Sequence, residues 1–146
     1  MLMKARKYEF GRVFLGRLPY ESDLLDALTA FCADNGLNAA FLSAIGALTM
    51  ATIGFYNQED KSYETILIEE TLELASLTGN LSLKDGKPMV HAHVVLSREN
   101  GEAVAGHLMS PTRVFAGEVF AAELRGEPLA REFDETTGLT LWGALL

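Results

Sequence analysis

Cysteine is nearly absent from the 146 residues: Cys32 stands alone. That excludes an internal disulfide and any tetrahedral zinc site of the cysteine-rich type, and it fits a reducing compartment, the cytoplasm. Long apolar runs are missing too. No segment approaches the ~18 unbroken apolar residues of a membrane span. Lys4, Arg6 and Lys7 imitate the start of a signal peptide, but Tyr8, Glu9, Arg12 and Arg17 interrupt the apolar stretch that should follow. Positive charge is scarce, with 12 basic residues against 20 acidic and a net charge of −8 at pH 7. An acidic surface repels a phosphate backbone, so most of the molecule is a poor nucleic-acid surface. The imbalance is uneven, because the first seventeen residues carry +4 and the remainder −12. Several chemical signatures are also lacking. There is no Gly-x-Ser-x-Gly turn for Ser43, Ser76 or Ser110, and no Gly-x-Gly-x-x-Gly loop between Gly11 and Gly16.

What is present suffices for one core. At 49% hydrophobic, the length predicts a single domain over 1–146, with a basic N-terminal segment over 1–17 and a core over about 8–143. Tyr8 to Leu15 reads as a strand that leaves into a turn at Gly16 and Leu18-Pro19. A helix follows, with Ser22 as expected N-cap and Asp23 in the first turn. Its Leu24, Leu28, Phe31 and Cys32 fall on one face, and Asn35-Gly36 supplies a left-handed stop.

After the helix come short runs separated by turn chemistry: Ala39 to Ile45, Thr49 to Tyr56, Tyr63 to Ile68, Leu72 to Leu83, Met89 to Ser97, Glu102 to Leu108, Val114 to Leu124 and Leu139 to Trp142. Many strands with one helix predict an α+β fold, mostly antiparallel. Val114 to Leu124 is ambiguous, since its Ala-Ala-Glu-Leu end also suits a helix.

All three histidines lie between His91 and His107. In a strand, His91 and His93 project from one face while Val90, Ala92, Val94 and Leu96 form an apolar row on the other. If Glu99-Asn100-Gly101 is a three-residue hairpin loop with Gly101 left-handed, Arg98 pairs with Glu102 and His93 stands opposite His107. A two- or four-residue loop would send His107 to the other face. In the first register three imidazoles converge, a ligand set suited to Zn, Ni, Fe or Cu with one position open. Glu118 and Glu123 are candidate fourth ligands.

The order of segments resembles the plants and prokaryotes conserved (PPC) domain, also described as the AT-hook-associated domain of plant nuclear proteins. The resemblance runs from Phe10-Gly11-Arg12-Val13 to Trp142. It is carried by the helix ending in Asn35-Gly36, by Ser43-Ala44-Ile45-Gly46-Ala47 and by Leu72-Glu73-Leu74-Ala75-Ser76-Leu77-Thr78-Gly79-Asn80. Pro88-Met89-Val90-His91-Ala92-His93 and Ala105-Gly106-His107-Leu108 complete it. It implies an α+β fold with an antiparallel sheet, a homotrimer, and in prokaryotic relatives a histidine metal site matching His91, His93 and His107. The expected cofactor is a divalent transition metal, zinc foremost. Plant members owe their DNA contact to a separate Arg-Gly-Arg-Pro hook. Gly16-Arg17-Leu18-Pro19 is the nearest string here and lacks that hook's arginines.

Three functions follow as expectations. The first is a homotrimeric metal-binding module with a regulatory role. The second is a metal-dependent hydrolase or lyase with Glu118 as general base. The third is a DNA-binding protein acting through Lys4, Arg6 and Lys7.

Overall fold

A computed structural model describes residues 5–143. Strand β1 (Glu9–Arg17) precedes helix α1 (Leu24–Asp34). Strands β2 (Ala40–Asn57), β3 (Ser62–Ile68), β4 (Leu72–Lys84), β5 (Lys87–Ser97), β6 (Ala103–Arg125), β7 (Arg131–Asp134) and β8 (Leu139–Trp142) follow. Every strand-to-strand ladder is antiparallel, and α1 is the single helix among the described residues, as the strand-rich sequence predicts.

Asp23, rather than Ser22, caps the helix. Its carboxylate accepts from the Asp26 amide at 3.0 Å, the Ser110 hydroxyl at 2.8 Å and the Thr112 amide at 2.7 Å. One anion therefore satisfies the helix start and ties it to β6, whereas Ser22 donates back to the Pro19 carbonyl. At the far end Gly36 is left-handed (φ 63°), with Leu37 N–H donating to Cys32 and Gly36 N–H to Ala33. That is the paired closure a glycine just past a helix permits. Leu24, Leu28 and Cys32 are fully buried. Phe31 lies partly buried at the rim, edge-on to Phe14 at 5.3 Å.

Two pairs of runs that read as separate strands are continuous. Ala39 to Ile45 and Thr49 to Tyr56 join as the 18-residue β2, and Glu102 to Leu108 and Val114 to Leu124 as the 23-residue β6. Irregularities absorb the interruptions. The β2–β4 register shifts between Ala44 and Gly46, and Pro111 falls within a register shift between β2 and β6. Proline has no N–H to give a ladder, so a bulge is where a strand tolerates it. The helix-compatible end of β6 is strand because β2 and β1 pair with it on either side.

The main sheet runs β1-β6-β5-β4-β2-β3, and a further β6–β2 pairing closes β2, β4, β5 and β6 on one another. Leu42, Leu48, Leu74, Leu77, Val94, Leu96, Leu108 and Val114 fill the enclosed core. The hairpin β7–β8 forms a small second sheet, of which β7 had no sequence signal.

Candidate metal centre

Strand periodicity places the histidines. Val90, Ala92, Val94 and Leu96 are buried, which turns His91 and His93 to the outer face of β5. The loop to β6 has the expected form: Gly101 is left-handed (φ 82°), and the Arg98 amide donates to the Glu102 carbonyl at 2.9 Å. Pairing then brings His93 opposite His107. The Arg98 guanidinium reaches Glu102 at 3.9 Å and also contacts Glu70, a partner outside the hairpin.

The three imidazoles converge. One ring nitrogen from each lies within 4.8 Å of the others, and the ring centroids are 5.0 to 5.5 Å apart. His91 and His107 are both half-buried, and His93 is exposed. Burial, then His91, His93 and Arg131, push the pKa of His107 down to about 4, and burial followed by Arg131 and His93 lowers that of His91. Both are neutral at pH 7, the form that offers a lone pair to a metal. His107 Nδ1 is buried and has no hydrogen-bond partner. Such a nitrogen costs stability unless something binds it, and a cation fits.

The lowered pKa has a measurable consequence in metal-free protein. Between about pH 6.5 and pH 4 the unfolded chain binds a proton at His107 that the folded chain refuses, so stability falls as pH falls through that window. The urea midpoint should be lower at about pH 5 than at about pH 7, and His107→Gln should shrink the difference. An unchanged difference would assign the pH dependence elsewhere. Glu123 titrates below this window, because its hydrogen bonds from Arg12 lower it to about 2.

Neither expected fourth ligand joins the cluster, which among the described residues consists of the histidines alone. Glu123 instead pairs with Arg12 at 2.8 Å and Arg125 at 3.8 Å. Glu118 is exposed, in register with Arg17 of β1 and Ile45 of β2.

The residue the sequence did not reveal is Arg131. It is 8% exposed, and its Nη2 lies 3.5 Å from His91 Nδ1. Nε donates to the Ser82 hydroxyl at 2.7 Å, Nη2 to Asn80 Oδ1 at 2.9 Å and Nη1 to the Thr140 carbonyl at 3.2 Å. A lone arginine in a four-residue strand has no periodic pattern to betray its burial. With His91, His107, Tyr56, Lys61 and Tyr63 it lines a cavity of about 310 Å³ walled on one side by β8. Tyr63 lies against His107, centroids 5.0 Å apart.

Of the basic N-terminal residues, Lys4 lies outside the described residues. Arg6 is engaged with the Glu127 and Pro128 carbonyls and the Glu127 carboxylate, and Lys7 is exposed. No helix among the described residues is long and apolar enough to cross a membrane.

Comparison with curated proteins finds no match. Among solved structures, a metal-containing protein from Archaeoglobus fulgidus is 47% identical, with a TM-score of 0.92 over 97% of this chain and 100% of its own. A plant- and prokaryote-conserved (PPC) protein from Pyrococcus horikoshii is 40% identical, with a TM-score of 0.91 over 99% of each chain. A protein from Bacteroides thetaiotaomicron, described as a "putative dna binding protein", is 28% identical over 93% of this chain and 96% of its own, with a TM-score of 0.82. The sequence model of the Plants and Prokaryotes Conserved (PCC) domain matches residues 5–125. The chain belongs to that family, as its histidine strand, its Asn35-Gly36 helix stop and its closed antiparallel sheet lead one to expect.

Proposed function

We propose that this is a cytoplasmic, homotrimeric metal-binding protein whose His91, His93 and His107 hold one divalent transition metal, zinc foremost, per chain. The observation that carries the reading is the convergence of three imidazole nitrogens within 4.8 Å, one of them on a residue whose Nδ1 is buried and unbonded. The 47% identical relative described as metal-containing supports it. When bound, the metal would supply a Lewis acid with a coordination position beyond the three imidazoles.

Assembly is supported by exposed apolar side chains on the outer face, Val13, Leu15, Phe41 and Phe120, set among polar ones. Across the strands Val13, Ala122, Phe41, Asn80 and His91 form one row, and Leu15, Phe120, Ser43, Thr78 and His93 the next. Leu15 is 82% exposed and Val13 57%. Side chains of this kind, contiguous on one face, suit burial between subunits.

Metal analysis of protein purified without a histidine tag tests the site. About one zinc per chain is expected, falling to a trace in the His91→Ala, His93→Ala variant. Stoichiometric metal retained in that variant would sink the assignment.

An enzyme is the second reading, favoured by the cavity that His91 and His107 help to line. Glu118 is remote from that cavity's lining, so the general base would have to be another group. The DNA reading draws support from the Bacteroides relative's description and from exposed Lys7, but Arg6 is already paired. Salt-dependent binding lost on neutralising Lys4, Arg6 and Lys7 would promote it.

A further inference from the structure

Buried charges in proteins are paired, and a buried guanidinium ordinarily meets a carboxylate. Arg131 does not. Its contacts are a hydroxyl, an amide oxygen, a backbone carbonyl, the edge of His91 and the ring of Trp142, whose centroid lies 5.5 Å from the guanidinium carbon, and none of them is an anion. Among the described residues no acid lies within ion-pair distance of it. Five N–H groups are available to a guanidinium, and these contacts use four at most. One Nη1 donor is left on a residue that lines the 310 Å³ cavity.

The same cavity has a second cation and no anion. Lys61 lines it, its ammonium donating to the Glu135 carbonyl at 2.9 Å, and none of the lining residues is an aspartate or glutamate. Three neutral imidazoles would contribute no negative charge to a bound divalent metal, so loading the centre adds to the positive potential rather than cancelling it. Part of the wall is apolar or aromatic: Tyr56, Tyr63, Met89, Leu139 and Leu141. A guanidinium with a donor to spare and such walls suit a carboxylate on a compact apolar or aromatic body better than a bare inorganic anion.

We propose that the cavity between β3, β5, β6 and the β7–β8 hairpin binds a small organic acid, its carboxylate against Arg131 and its body beside Tyr63. The full site, with the carboxylate between Arg131 and the metal, rests on the metal reading above; the arginine half stands without it. Arg131 and β8 lie beyond residues 5–125, so the hairpin that follows the family's matched segment supplies the anion contact and one wall. The hairpin thus supplies the arginine, while the histidines and Tyr63 come from the main sheet.

Trp142 provides the readout. It is the chain's one tryptophan, its indole N–H donates to the Ser82 hydroxyl at 3.2 Å, and Arg131 Nε donates to that same oxygen. A ligand that draws on Arg131 is felt at the indole. Tryptophan fluorescence and calorimetry would be followed while benzoate, neutral benzamide or inorganic phosphate is titrated into metal-free and zinc-loaded protein. Saturable benzoate binding is expected in both forms, about tenfold or more weaker for benzamide and for benzoate on Arg131→Gln.

If Arg131→Gln does not fold, the half-exposed Tyr63→Ala carries the test: several-fold weaker benzoate binding supports the proposal and unchanged binding overturns it. Equal binding of benzamide, preference for phosphate, or no benzoate response at millimolar concentration also overturns it. Intact zinc binding without a benzoate response removes the acid site and leaves the metal centre standing. Benzoate binding without zinc binding removes the metal centre and leaves the arginine site.

Discussion

Zinc in large excess should raise the thermal midpoint of the metal-free protein by ~10 °C, and should not raise that of the His91→Ala, His93→Ala variant. The size follows from linkage. A ligand at a thousand times its dissociation constant stabilises the native state by about 4 kcal/mol, and a domain of this length gains roughly 2–4 °C per kcal/mol. The cluster is arranged for a large response. His91 and His107 are held neutral by burial, so little proton competition opposes the metal near neutral pH, and His107 Nδ1 lacks a partner to lose. Differential scanning fluorimetry with and without zinc, then with chelator, measures the effect. The comparison belongs at fixed protein concentration, since an oligomer's midpoint also moves with concentration. Equal shifts in the wild type and the double variant would place the zinc elsewhere.

The register behind this prediction was legible because a single residue type enforces it. Gly101 adopts φ 82°, which side chains resist, and it fixes the loop at three residues; His93 and His107 then have to meet. The apolar row Val90, Ala92, Val94, Leu96 was equally plain, since period-two alternation with one face buried admits no slip. Strand continuity was harder to read. Ser110-Pro111 and Gly46-Ala47 have the composition of turns, and only the long pairing between β2 and β6 shows them to be irregularities inside strands. That pairing is non-local, and no window of sequence contains it.

Arg131 was illegible for a related reason. Its burial is created by Asn80 and Ser82 of β4 and Thr140 of β8, far apart in the chain, and a four-residue strand offers no period. The fourth-ligand expectation failed because Glu123 had a nearer partner, Arg12, which contacts both of its carboxylate oxygens. Sequence placed the metal-ligand candidates through local geometry. The cavity beside them depends on chain segments tens of residues apart.

The non-local β2–β6 crossing also yields the second large effect: Gly46→Ala should cost about 3 kcal/mol or more, or prevent folding. Gly46 has φ 157°, and a Cβ built there would lie 2.2 Å from the Ala116 carbonyl oxygen and 2.6 Å from the Gly117 Cα. Those neighbours are backbone of the opposing strand, so no rotamer change relieves the overlap; β2 and β6 would have to separate along the seam that closes the sheet. Gly86→Ala is the matched comparison. It too has positive φ (74°), but nothing lies within 4 Å of its added methyl, so it should cost only the conformational penalty of about 1 kcal/mol. Urea denaturation of both variants separates close approach from backbone conformation. If Gly46→Ala loses no more than Gly86→Ala, the two strands are not pressed together at the crossing, and closure of the sheet must depend on side-chain packing instead.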